Sequence, residues 1–167
     1  RQVALFEAQL AIAHEFHLPV IIHARRCHAD IYRALKRVGH RQGGIVHAFS
    51  GSVEEAQQYR ALGMHLGLGG PLTWPQARRL QAVATQLSLE SFVLETDAPD
   101  LVPYAHSQYH ANGQLRLPGE RVRNSPAFLP SVLRQFSLLR GESETALATQ
   151  FFNNTVTALQ LPSQRYS

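Results

Sequence analysis

The chain has 167 residues, of which 44% are hydrophobic and 17% charged, and its formal net charge is +4. This length can bury a sizeable core, and no apolar run approaches the roughly 20 residues of a membrane span, so we expect no membrane partner. The single cysteine excludes an intramolecular disulfide and suits a reducing compartment, which favours a cytoplasmic protein.

The predicted elements alternate between helices and short apolar strands. Helical patterns cover residues 2–16, 29–38, 53–62 and 75–87. The apolar runs between and after them end at His23, His47, Leu68 and Glu95. Such runs are typical of buried parallel strands, and their alternation with helices predicts βαβ units in a parallel sheet. A long connection over residues 98–124 precedes two more predicted helices, at about 126–139 and 143–159.

The number of strands bounds the architecture. A complete (β/α)₈ barrel has about 250 residues, so four βα units supply roughly half of one. An open half-barrel leaves two strand edges unpaired, at residues 19–23 and 92–95, and both runs are apolar. We therefore expect an α/β fold whose isolated chain self-associates.

Ionisable residues follow three of the predicted strands. His23 and His47 end two neighbouring strands, and Asp97 comes just after the fourth. The carboxyl ends of parallel strands meet at one edge, where imidazole and carboxylate together suit Zn²⁺, Mn²⁺ or Co²⁺. A lone strand-end histidine is often structural, and an aspartate before Ala-Pro often begins a turn. Glu95 either faces the same edge or supports a ligand. The combination predicts a metal-dependent hydrolase.

Several other side chains are candidates for substrate contact. Arg25 follows the first strand and is either a phosphate clamp or an ordinary salt-bridge partner. Trp74 follows the third strand and either stacks on a base or packs in the core. Arg121, Arg123 and Asn124 end the long connection, where a solvated cluster is favoured over a phosphate contact. The positive net charge is compatible with a polyanionic substrate.

Five short motifs in the same order resemble the TatD family of metal-dependent hydrolases, and most of all its bacterial YjjV-like branch. They are Pro-Val-Ile-Ile-His-Ala-Arg (19–25), Val-His-Ala-Phe-Ser-Gly (46–51), Leu-Glu-Thr-Asp-Ala-Pro (94–99), Arg-Asn-Ser-Pro (123–126) and Asn-Asn-Thr (153–155). The resemblance implies a TIM-type (β/α) barrel of the amidohydrolase group. It also implies divalent metal ions (Zn, Mn, Co or Mg) and hydrolysis of phosphodiester bonds, typically as a deoxyribonuclease acting on DNA.

The resemblance also implies roles for individual residues. His23, His47 and Asp97 match the family's two single-histidine positions and its final-strand aspartate, which are metal ligands; Asp97 would also help to deprotonate the attacking water. Arg25 becomes a candidate substrate-binding residue. The family's His-x-His pair and middle-strand glutamate have no counterpart here. We therefore expect residues 1–167 to be one domain, the C-terminal half of such a barrel with its fifth to eighth strands.

Three functions remain open from the sequence. The first is a phosphodiesterase acting on DNA or another phosphodiester, with no obligate protein partner. The second is a related amidohydrolase that acts as a lactonase or deaminase. The third is a catalytically inactive truncated fragment, which the missing family ligands and the start at Arg1 also suit.

Overall fold

Four parallel strands form one sheet in the order β1-β2-β3-β4, which is also their order along the chain. The computed structural model describes residues 1–162. The strands are β1 (Val20–His23), β2 (Gly44–His47), β3 (Met64–Leu68) and β4 (Phe92–Leu94). The helices are α1 (Gln2–Glu15), α2 (His28–Val38), α3 (Val53–Ala61), α4 (Arg78–Gln86), α5 (Tyr104–Gln108), α6 (Leu129–Arg140) and α7 (Glu144–Ala158). The predicted α/β fold with a parallel sheet is confirmed.

The strand register aligns the carboxyl ends of the sheet. His23 lies opposite His47, and Leu68 lies opposite Leu94. Because every strand runs the same way, the residues that follow the strands emerge along one edge. The register thus brings together the ionisable residues that the sequence places at strand ends.

The two faces of the sheet have different surroundings. Side chains alternate between faces, and the row formed by Ile22, Val46, Leu66 and Phe92 is buried in the main core under the helices. The opposite row contains Ile21, Ile45 and His65, and its exposure falls from 64% at Ile21 to 7% at the other two. Burial on this second face therefore increases away from β1.

Local signals explain where helices begin and end. Gly39 ends α2 in the left-handed conformation, which glycine adopts without a Cβ clash. Ser52 and Glu55, spaced three residues apart as a capping box requires, form that reciprocal box at the start of α3. Ser143 caps α7 through the backbone N–H of Ala146.

Several elements differ from the predictions. The helix predicted over 75–87 begins at Arg78, because residues 70–73 form a 3₁₀ turn whose chain then extends through Trp74. The strand predicted to end at Glu95 ends one residue earlier, at Leu94. The connection predicted without a helix contains the five-residue α5, which is too short to show helical periodicity. None of the helices in residues 1–162 is long and apolar enough to cross a membrane.

The two edge strands are covered differently. Helix α7 packs against β4, and the buried Asn154 side chain donates hydrogen bonds to the carbonyls of Leu89 and Phe92. By contrast, β1 exposes Ile21, and the neighbouring α1 region exposes further large apolar side chains. These are Val3, Leu5, Ile12, Phe16 and Leu18. Both edges were predicted to be open, but β4 is protected by the chain's own helix.

Candidate functional site

A cavity of about 280 Å³ lies at the carboxyl edge of the sheet. It is lined by residues that follow β1, β2 and β4, among them His23, Arg25, Glu95 and Asp97. Its floor includes Gly67 and Gly69, which belong to β3 and to the turn after it. The cavity is therefore built where parallel α/β folds usually place their chemistry.

His47 lies between two carboxylates. Its Nδ1 is 2.9 Å from Oε2 of Glu95, and its Nε2 is 3.2 Å from Oδ1 of Asp97. The His23 ring lies next to it, with 5.9 Å between the ring centroids. The structure thus brings His47 and Asp97 into direct contact and places His23 beside them.

Glu95 has a second hydrogen bond that fixes its carboxylate. The backbone N–H of Ala48 donates to its Oε1 at 2.6 Å. The side chain reaches His47 by crossing β3 at Gly67, where any Cβ would collide with the carboxylate. Glycine at position 67 is therefore required for Glu95 to hold His47.

The backbone at the site is also constrained. Ala48 and Asp97, neither of them glycine, have φ angles of 47° and 54°. This left-handed conformation is unfavourable for residues with a Cβ and is found often at functional sites. It turns the chain sharply just after β2 and three residues after β4.

Asn124 ties down the segment that carries Asp97. Its buried side-chain amide donates to the carbonyls of Thr96 and Asp100, each at 2.6 Å, and its backbone N–H donates to Pro99 at 2.8 Å. Asn124 is therefore a structural clamp at the base of the long connection. The solvated cluster considered from the sequence is wrong for this residue, whereas Arg121 and Arg123 are exposed.

The two carboxylates change the protonation of His47. Burial of the imidazole by itself lowers its pKa, but hydrogen bonds that His47 donates to Glu95 and Asp97, together with their negative charges, outweigh burial. The net result is a pKa of His47 above its ordinary value. The site is therefore an environment that favours a positive charge.

The donor chemistry fits a divalent metal in part. A histidine whose Nδ1 is held by a carboxylate presents Nε2 as a ligand, and here Nε2 faces the oxygen of Asp97. Mixed nitrogen and oxygen donors suit Zn²⁺, Mn²⁺ or Co²⁺. Within residues 1–162, however, no three His, Cys, Asp or Glu side chains form a complete ligand group. The chain contributes donors but not a closed coordination shell.

Arg25 is the cation nearest to these donors along the chain. It is exposed and lines the site cavity together with His23 and Asp97. Among the described residues, its guanidinium forms no hydrogen bond or ion pair. An unengaged guanidinium at the rim is suited to bind an anion.

Sequence reasoning left the role of Glu95 open and did not identify Gly67. The signal for Glu95 was its alternation with Asp97, which placed both near one edge. The signal for Gly67 was a small residue in an otherwise apolar strand, which often marks close approach of another group. Trp74 lies outside this cavity, where its indole N–H donates to the carbonyl of Val102 at 3.0 Å.

Comparisons with known proteins find matches over nearly the whole chain. The family described as TatD related DNase matches residues 1–160. The chain is 37% identical over 162 residues to the uncharacterized metal-dependent hydrolase YjjV of Escherichia coli, covering 97% of this chain and 58% of that protein. It is 35% identical over 170 residues to the 3'-5' ssDNA/RNA exonuclease TatD of Rahnella sp., covering 99% of this chain and 60% of that protein.

Solved structures give the same result for the fold. The crystal structure of Escherichia coli YjjV matches with a TM-score of 0.76 and 35% identity, over 92% of this chain and 54% of that one. A TatD-family hydrolase from Entamoeba histolytica matches with a TM-score of 0.70 and 22% identity, over 91% and 55%. This chain spans little more than half the length of these structures.

Proposed function

Because the chain belongs to the TatD related DNase family, we propose that it carries part of the active site of a divalent-metal-dependent hydrolase of phosphodiester bonds, with DNA as its substrate. The observation that carries this proposal is His47, held by Glu95 with its Nε2 turned toward Asp97. The naming of relatives as metal-dependent hydrolases and as a 3'-5' ssDNA/RNA exonuclease supports the same reaction class.

Each residue has a distinct part in this proposal. His47 and Asp97 would hold the cation, with His23 as a further donor beside them, and Glu95 fixes the orientation of the His47 ring. A bound divalent cation supplies Lewis-acid stabilisation of the negative charge that develops on the phosphate. Asp97 accepts a proton from the attacking water, and Arg25 binds a non-bridging phosphate oxygen.

We also propose that residues 1–167 form one domain, the C-terminal half of a TIM-type barrel. Two observations support this assignment. The strands are consecutive neighbours, as in a barrel, and the β1 side exposes an apolar surface that includes Ile21 and Leu5. In a closed barrel, another strand and helix cover that surface. The remaining metal ligands would then come from the other half of the barrel.

Metal binding is tested on the chain itself. Mn²⁺ titration followed by electron paramagnetic resonance should detect one bound ion, with affinity reduced about tenfold or more in His47→Ala, since loss of one ligand removes a major contact. His110→Ala is the matched control, because His110 pairs with Glu120 in the long connection. Equal affinities in the chain and in His47→Ala would remove His47 from the site.

Hydrolysis is tested in a chimera. The part of Escherichia coli YjjV that the match leaves out is joined to the amino terminus of this chain. The chimera should cleave single-stranded DNA only with divalent metal, and Asp97→Asn should abolish most of that activity. Cleavage should also fall steeply with added salt, because phosphate contacts release counterions. A folded, metal-loaded chimera that hydrolyses lactones or deaminates amines but leaves DNA intact would contradict the proposal.

A further inference from the structure

A second cavity, of about 490 Å³, adjoins the candidate site beneath the long connection. Its lining is mostly apolar and includes Trp74, Leu101, Val102 and Val122. Pro71 and Leu101 line both this cavity and the site cavity. The two spaces therefore meet at the turn after β3, close to the segment that carries Asp97.

The indole of Trp74 is held in one orientation. Its N–H donates to the carbonyl of Val102 at 3.0 Å, and the Tyr104 ring packs edge-on with 5.3 Å between centroids. The backbone N–H of Tyr104 also donates to Oγ1 of Thr73 at 2.7 Å, and a Cβ at Gly70 would collide with the Leu101 carbonyl. The connection is thus fastened to the turn, and the only polar atom of the indole is already used.

The charge of this cavity differs from that of the site. Among the described residues that line it, Glu120 is the one ionisable side chain; its carboxylate accepts from Arg116 at 2.6 Å and lies 3.3 Å from the His110 ring nitrogen. A carboxylate repels phosphate, and the other lining residues within 1–162 include no cation. The neighbouring cavity, by contrast, is lined by Arg25, whose guanidinium can bind a phosphate oxygen, and by Glu95 and Asp97, which the proposed function assigns to His47 and to a cation. The pair of cavities therefore separates a place for phosphate from a place for an uncharged group.

We propose that the second cavity is a nucleobase subsite, which takes the base of the nucleotide next to the phosphodiester bond bound at His47 and Asp97. This proposal rests on the proposed hydrolase for the identity of that neighbouring phosphate. The volume lies within the range of small-ligand sites, and stacking on an aromatic side chain tolerates any base. The subsite accordingly accepts purines and pyrimidines alike.

The test uses the metal-free chain and ligands without a scissile bond. Trp74 is the only tryptophan, so a ¹⁵N spectrum contains a single indole N–H signal that reports on this cavity. Deoxyadenosine and thymidine should shift that signal saturably, whereas 2-deoxyribose 5-phosphate, which has no base, should not. Because neither metal nor hydrolysis is involved, the result is independent of whether the chimera cleaves DNA.

A pair of variants locates the binding. Val122→Phe fills the cavity and should weaken deoxyadenosine binding about tenfold, the range expected for losing one stacked base. Leu117→Phe makes a similar change on the same connection at a side chain that is 77% exposed, and should leave binding unchanged. Equal shifts with 2-deoxyribose 5-phosphate, or unweakened binding in a folded Val122→Phe chain, would overturn the subsite. If that variant does not fold, the ligand comparison on the unmodified chain decides alone.

Discussion

The two edge strands of the sheet differ in how far the chain covers them. At β4, the chain covers the strand with α7, and the Phe92 ring packs against Phe136 of α6 with 5.3 Å between the ring centroids. At β1, Ile21 is 64% exposed, and Phe16, just after α1, is exposed to the same extent. The difference shows that apolar sequence alone does not bury a strand edge. The chain completes one side of its fold and presents a large apolar surface on the other, a feature typical of interaction sites.

The sharpest test of this contrast compares two phenylalanines. Phe136→Ala removes a fully buried ring that also packs 4.8 Å from Phe151, and should reduce the free energy of unfolding by about 3–5 kcal/mol. Phe16→Ala removes an exposed ring and should change it by about 0.5 kcal/mol or less. Urea unfolding monitored by circular dichroism measures both. Similar losses would mean that the β1 side is buried after all.

Hydrogen bonding to β4 gives the next largest effect. Asn154→Ala removes the donor to the carbonyls of Leu89 and Phe92, which lie 2.8 and 2.7 Å away. Leaving these carbonyls unpaired should cost about 2–3 kcal/mol. Asn153→Ala is the matched control, because Asn153 is exposed on the same helix. An equal, small effect of both variants would show that water replaces the Asn154 amide without cost.

The burial of the row Ile21, Ile45 and His65 on the second face of the sheet can be tested at His65 through the pH dependence of stability. His65 is buried, and burial together with the charge of Arg60 lowers its pKa to about 4, against the opposing effect of a hydrogen bond that the Gly44 backbone accepts. The unfolded chain binds a proton near pH 6.5. The contribution of the neutral His65 imidazole to the stability of the fold is therefore complete above pH 7 and is lost as the pH falls from about 6.5 towards 4.

The expected loss from His65 is about 2 kcal/mol at pH 5. Urea unfolding at pH 7.5 and pH 5 measures it, and His65→Gln should remove this part of the pH dependence. A pH dependence of His65→Gln equal to that of the unmodified chain would mean that solvent reaches the β3 imidazole as it reaches Ile21.

Self-association addresses the exposed side directly and has the smallest expected effect. Ile21→Lys should weaken dimer or oligomer formation about tenfold, or about 1.4 kcal/mol, because the lysine would have to be desolvated in the contact. Leu138→Lys is the control, since Leu138 is 73% exposed but lies on α6. Sedimentation velocity over a concentration series compares the two. A monodisperse monomer with a sharp melt would show that β1 does not mediate contacts.

The sequence predicted those features that depend on nearby residues. The strand ends at His23 and His47 and the capping box at Ser52 follow from local apolar runs and from one side chain's reach to its own helix. The short α5 could not be predicted, because five residues show no periodicity and it has no side-chain cap. Protection of β4 could not be predicted either, since it depends on Asn154, 62 residues away along the chain.

The site shows the same division. His47 and Asp97 were placed together because parallel strands align their ends, and the structure brings them into contact. The hydrogen bond between Glu95 and His47 depends on the register of three strands and on the absence of a Cβ at Gly67. No pattern within one segment encodes that arrangement. The second ring, His23, is adjacent, with 5.9 Å between the ring centroids.

Asn124 joins the two ends of the long connection by hydrogen bonds. The position of Asp97 therefore does not depend on how many residues lie between those ends. The side-chain amide of Asn124 and its backbone N–H, which donates to the Pro99 carbonyl, hold the start of the connection against its end. Lengthening a flexible loop costs little, because the closure entropy rises only with the logarithm of its length. Residues 102–122 can therefore diverge, shorten or expand over generations while the carboxylate stays in place. Substrate range and reaction chemistry can then evolve separately within one fold.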